Sequence, residues 1–74
     1  MIVVEIRGQV PETAPLDLAS LEGATAMGPI EVPDGKRWLI TGSLGKARLG
    51  LRPLVGRWRD GGATVRVDAD PIDV

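Results

Sequence analysis

Apolar and polar residues alternate along much of the chain, which is the period of half-buried β-strands. Residues 2–7 show this alternation, and Gly8 with Pro11 ends the first predicted strand. Two prolines mark residues 11–15 as a loop, because proline disrupts both a helix and a β-ladder. Residues 16–22 fit either a strand edge or one helical turn. Six or seven residues form only a marginal helix, so we favour a strand or irregular structure there.

A turn signal stands in the middle of the chain. Pro33 fixes φ, the side chain of Asp34 bonds its own backbone, and Gly35 accepts a positive φ. Apolar-polar alternation flanks these residues on both sides. We therefore predict that 30–32 and 37–41 pair as an antiparallel hairpin.

The same period continues towards the end of the chain. After a predicted turn at 42–45, residues 47–52 and 54–59 alternate as two further strands, with a proline between them. The sequence Asp-Gly-Gly at 60–62 is a strong hairpin signal, and it precedes a last strand at 64–69.

Short strands separated by glycine and proline predict an all-β fold. We expect one domain over residues 1–74, a small antiparallel sandwich or barrel of six to seven short strands. Two apolar residues at strand spacing, Ile72 and Val74, follow the last strand, and we expect this tail to dock on another surface.

Composition excludes several kinds of chemistry. The chain has no Cys and no His, so disulfides, thiolate metal sites and histidine-dependent triads are absent. We therefore predict no enzyme activity, no catalytic residue, no metal and no cofactor. Apolar runs are only a few residues long, so we expect neither a membrane-spanning helix nor a signal peptide.

The short length makes association with other chains an expectation. A chain of 74 residues buries only about 60% of its unfolded surface, and this one lacks disulfides that would add stability. We therefore expect a homo-oligomer or a multi-copy assembly. Small β-barrels of this length that fold alone are the alternative.

Charge is segregated along the chain although the total is only −1. Residues 1–35 carry net −5, residues 36–66 carry net +7, and residues 67–74 carry net −3. The basic segment either meets acidic segments of a neighbouring copy or meets an external anion such as nucleic acid. Neutralisation between adjacent strands within one chain is the third possibility.

The basic segment supplies the candidate contact residues. We predict that it meets a partner through four arginines and one tryptophan anchor, a pairing typical of interface hot spots: Arg48, Arg52, Arg57, Trp58 and Arg59. Alternation places Trp38 in the core with Ile40, whereas Trp58 fits the core and the surface about equally. Two aromatic residues are few for stacking on single-stranded nucleic acid, which weakens that reading of the charge.

Two local motifs are weak. Residues 41–47 contain glycines before Lys46, but the glycine spacing is shorter than in a phosphate-binding loop, Ala47 replaces the required Ser or Thr, and we predict a strand next. Asp68 and Asp70 would lie about 7 Å apart on an extended strand, too far apart to hold one ion without other ligands.

Residues 30–41, which read IEVPDGKRWLIT, resemble a hairpin of small β-sandwich virion proteins of tailed bacteriophages, in which a V-P-x-G-K turn joins two strands. The resemblance implies a capsid decoration, or cement, protein that stabilises a larger shell and performs no catalysis. It implies a major capsid protein or another virion protein as the partner. It carries over no functional residue.

We therefore expect a structural virion component, with Met1–Arg7 or Ile72–Val74 as strands that add to a neighbour's sheet. The alternative is a small β-barrel that binds nucleic acid through the same arginine-rich face. The expected location is the virion, with the cytoplasm as the alternative.

Overall fold

A computed structural model describes residues 1–69 of the chain. Its four strands form one antiparallel sheet in the order β2-β3-β1-β4, with two helices. The elements in chain order are β1 (Ile2–Gly8), α1 (Ala14–Ala19), β2 (Ala24–Val32), β3 (Gly35–Gly42), α2 (Leu44–Asp60) and β4 (Ala63–Ala69). This connectivity is the split βαβ arrangement of ferredoxin-like folds. The antiparallel, sheet-rich prediction is confirmed, but the sandwich or barrel of six to seven strands is wrong.

The largest error concerns α2, which replaces the two strands predicted at 47–52 and 54–59. Its buried residues, Ala47, Leu51, Leu54 and Trp58, recur every three or four positions, as one face of a helix requires. Three glycines and Pro53 disfavour a helix here, but packing of this apolar face outweighs intrinsic propensity. Pro53 is exposed, so the carbonyl it leaves unbonded can be hydrated.

Residues 14–19 form the short helix α1, where we predicted a loop at 11–15 and a strand or irregular structure at 16–22. Pro15 stands in the first turn, where the missing N–H has no intrahelical partner to lose. Ala14 and Leu18, four residues apart, are both fully buried. Burial of this face against the sheet stabilises a helix that would be marginal alone.

The core lies between the two helices and one face of the sheet. Alternate residues of β1, Ile2, Val4 and Ile6, are fully buried, as the pattern predicts. Trp38 and Ile40 of β3 join them, which confirms both as core residues. The other face of the sheet is covered by neither helix.

The predicted hairpin between β2 and β3 is confirmed. Ile30 pairs with Arg37 and Val32 with Gly35, so that Pro33 and Asp34 form the connection. Asp34 has a φ of 65°, in the region that Asp tolerates better than most residues. β1 lies between β3 and β4 and is paired on both sides, so Met1–Arg7 is not available to extend a neighbour's sheet.

Candidate functional site: an arginine-lined groove beside strand β4

The side of α2 next to its buried face carries arginines at helical spacing. Arg48, Arg52, Val55 and Arg59 each follow a buried residue of α2 by one position, so they lie along one flank of the helix. This flank and β4 form a groove of about 520 Å³. Its lining comprises Ile2, Arg48, Leu51, Arg52, Val55, Gly56, Arg59 and Val67. We call this feature the arginine groove.

The floor of the groove is apolar and partly open to solvent. Leu51 is nearly buried, whereas Val67 keeps 40% of its surface exposed although it lies on the helix side of β4. The helix therefore does not fully cover this end of the strand. An open apolar floor favours a ligand that brings apolar groups of its own.

The charge of the groove is not neutralised from within. None of Arg48, Arg52 and Arg59 forms an ion pair with any acidic side chain of residues 1–69. Nη2 of Arg59 donates a 3.0 Å hydrogen bond to the carbonyl of Val65, which ties the end of α2 to β4. Guanidinium groups bind carboxylates and phosphates through paired hydrogen bonds. The groove can therefore bind an anion.

The structure separates the five predicted contact residues. Arg48, Arg52 and Arg59 come together in the groove, whereas Arg57 lines a different cavity of about 320 Å³. Trp58 is only 3% exposed and packs in the core, so it forms no surface anchor. The groove also contains Val55 and Val67, which the strand interpretation missed. The sequence did contain a signal for this grouping, because each groove arginine directly follows an apolar residue that recurs at helical spacing.

A residue that lines the second cavity carries an unsatisfied polar atom. This cavity lies between the start of α1 and the end of α2, and its lining includes Gln9, Thr13, Asp17 and Arg57. Trp58 also lines it, and Nε1 of this buried indole has no hydrogen-bond partner within residues 1–69. A cavity of this size has room for ordered water.

The uncovered sheet face carries a charged cluster that the sequence analysis did not single out. Glu5 keeps only 10% of its side chain exposed, because Arg37 Nη2 lies 2.8 Å from its Oε1 and Arg7 Nη2 lies 3.3 Å from its Oε2. The hydrogen bond from Arg37, followed by that from Arg7, lowers the pKa of Glu5 below its ordinary value. Exposed Met27 and Ile30 lie on the β2 side of this cluster.

The two weak motifs do not become sites. Helix α2 begins at residue 44, where we predicted a turn followed by a strand, so the expectation that no helix follows residues 41–47 was wrong. The spacing of the glycines and Ala47 still depart from the phosphate-binding pattern. Within residues 1–69 no group of three acidic side chains is placed to hold a metal ion. Asp70 and the tail Ile72–Val74 lie outside the described residues.

Comparison with known proteins gives no relatives. No protein-family model, curated protein or solved structure matches this chain. No helix of the described part is long and apolar enough to span a membrane.

Proposed function

We propose that this chain is a protein-binding subunit of a larger assembly, and that its arginine groove binds an acidic, partly apolar segment of the partner. The observation that carries the proposal is the grouping of Arg48, Arg52 and Arg59, without carboxylate partners in residues 1–69, around an apolar floor. Charge complementarity orients a partner, and the floor adds burial of apolar surface.

Nucleic acid is the alternative ligand for the same arginines. Both tryptophans, Trp38 and Trp58, are buried, so the described residues offer no exposed aromatic ring on which a base can stack. The apolar floor favours a polypeptide over a phosphate backbone. The alternative predicts that affinity falls linearly with the logarithm of salt concentration, with a slope set by the number of phosphates neutralised.

A decoration role in a phage capsid is a narrower form of the proposal. It rests on the resemblance of residues 30–41, and this segment is a hairpin in the structure. In that role the groove would contact an acidic segment of a capsid protein, in many copies around the shell. Co-sedimentation with the shell, and a higher melting temperature of the decorated shell, test this narrower form.

The direct test measures binding of a fluorescent eight-residue peptide, Asp-Ser-Val-Ser repeated twice and called the Asp-Val peptide, whose Asp and Val side chains share one face when the chain is extended. Arg48→Gln, Arg52→Gln and Arg59→Gln should each weaken binding about fivefold or more. Arg57→Gln is the matched control, because it removes the same charge from α2 outside the groove. If Arg57→Gln weakens binding as much as the groove variants, attraction is non-specific and the proposal is wrong.

Two further probes separate the ligand classes. The same peptide with Lys in place of each Asp should not bind, because it would meet the three arginines with like charge. A single-stranded oligonucleotide that binds more tightly than the acidic peptide, and that loses affinity in Arg48→Gln and Arg52→Gln, would favour nucleic acid instead.

A further inference from the structure

The two edges of the sheet are unlike each other. β2 forms one edge, and its pairing with β3 shifts register between Met27 and Ile30, where Pro29 has no N–H to donate. Such an irregularity hinders another strand from pairing with this edge of the sheet. β4 forms the other edge, and its residues 63–69 pair with β1 without a break.

Among residues 1–69 no strand pairs with the outer side of β4, so its backbone presents hydrogen-bonding groups there. A Cβ on Gly35 would meet the carbonyl oxygen of Ile6, so this carbonyl points towards β3. Along a strand of an antiparallel ladder, the backbone N–H and carbonyl of successive residues point to opposite sides. The backbone groups of Glu5 therefore point towards β4, where they bond the backbone of its partner Arg66. Val65 and Val67 therefore point their backbone groups outwards, and the hydrogen bond from Arg59 to the Val65 carbonyl agrees with this direction.

These outward groups stand at the arginine groove. Arg59 already donates a hydrogen bond to the carbonyl of Val65. The backbone N–H and carbonyl of Val67 also face outwards, beside the groove that the Val67 side chain lines. An extended chain that pairs with Val67 alternates its side chains between the two faces of the sheet. One set of side chains then lies on the side of the apolar floor and of Arg48 and Arg52.

We propose that the partner segment binds as an additional β-strand on the free edge of β4, paired at Val67, with acidic and apolar side chains in the arginine groove. This inference rests on the proposed function and specifies its mode of binding. The occupant is an extended acidic segment of another protein, because the charge of the groove is positive and a polypeptide backbone completes the edge.

The test replaces hydrogen-bonding groups and leaves charges in place. An Asp-Val peptide with N-methyl groups on the backbone nitrogens of alternate residues keeps its carboxylates. It lacks N–H donors along one of its two sides, so this side cannot pair with β4. The inference expects binding of this peptide to weaken at least tenfold, and the Val67 amide to exchange with solvent more slowly when the unmodified peptide is bound. Equal affinities of the methylated and unmodified peptides would overturn strand addition while leaving the groove proposal intact.

Variants of the full chain provide the second arm. Val67→Pro removes the outward N–H, whereas Val67→Ala shortens the same side chain and keeps the N–H. We expect Val67→Pro to weaken peptide binding well beyond Val67→Ala, with both circular dichroism spectra unchanged. If neither form of the peptide binds wild type, the proposed function itself fails. If the protein alone dimerises and Val67→Pro abolishes the dimer, a second copy occupies the edge and the inference is wrong.

Discussion

Arg37 of β3 lies directly opposite Glu5 of β1, and its Nη2 donates a 2.8 Å hydrogen bond to Oε1 of Glu5. The pair lies on the face of the sheet that neither helix covers. Arg7 approaches the other carboxylate oxygen from the same strand. One carboxylate thus holds two arginines in place on this face.

The Glu5 cluster predicts a pH-dependent contribution to stability. The pKa of Glu5 is lowered in the folded state from its ordinary value of 4.5. As the pH falls towards and below this ordinary pKa, the unfolded chain therefore binds more protons than the native chain. The contribution of Glu5 is present above that value and is lost as the pH falls through the lowered native pKa. We expect the difference in unfolding free energy between wild type and Glu5→Gln to shrink as the pH falls from about 6 through the lowered native pKa of Glu5. Urea titrations at each pH measure it, and a constant difference would contradict the prediction.

Two glycines predict opposite effects of the same substitution. A Cβ at Gly35 would collide with the backbone of Ile6 and Arg7, so Gly35→Ala should destabilise the fold by about 2 kcal/mol or more. A Cβ at Gly56 meets no atom within 4 Å, and this residue lies inside α2. Gly56→Ala should therefore stabilise the protein by about 0.5 to 1 kcal/mol. Thermal or chemical unfolding checks both signs, and stabilisation by Gly35→Ala would show that the close approach of β1 and β3 is wrong.

The unpaired N–H of the buried Trp58 indole predicts that Trp58→Phe lowers the stability of the fold only slightly. Nε1 of Trp58 has no partner within the described residues, so Trp58→Phe removes a polar group without breaking a hydrogen bond. We expect Trp58→Phe to change the unfolding free energy by no more than about 1.5 kcal/mol, whereas Trp58→Ala should cost about 3 to 5 kcal/mol. A loss from Trp58→Phe as large as that from Trp58→Ala would show that the N–H group has a partner.

Exposed ion pairs serve as a reference for these effects. Lys36 and Glu31 form a 2.7 Å contact, but Glu31 keeps 77% of its side chain exposed. Lys36→Gln should therefore change the unfolding free energy by less than about 1 kcal/mol, as chemical unfolding in low salt can measure. A larger loss would mean that surface charge contributes more to stability than exposure indicates.

The sequence predicted the strands better than the helices for a physical reason. Period-two alternation places Ile2, Val4 and Ile6 on one face without reference to the rest of the fold, and the turn at Pro33 is a local signal. Helix α2 depends instead on contacts with the sheet, because its glycines and Pro53 oppose a helix when propensity alone is considered.

The candidate site could be predicted only in part for the same reason. Charge segregation identified Arg48, Arg52 and Arg59 without their geometry. The predicted strand spacing grouped Arg57 and Trp58 with these three arginines. In the helix that forms instead, Arg57 lies beside another cavity and Trp58 lies in the core. The free edge of β4 could not be seen in the sequence, because it follows from which strand lies at the end of the sheet.

The most direct test of the account maps where an acidic peptide binds on the intact chain. Amide chemical shifts of the ¹⁵N-labelled protein, recorded as the Asp-Val peptide is added, report the contact surface residue by residue. The account predicts shifts concentrated in α2 around Arg48, Arg52 and Val55 and in β4 around Val67. Shifts confined to the uncovered face around Glu5 and Arg37, or no saturable shifts at all, would contradict binding in the arginine groove.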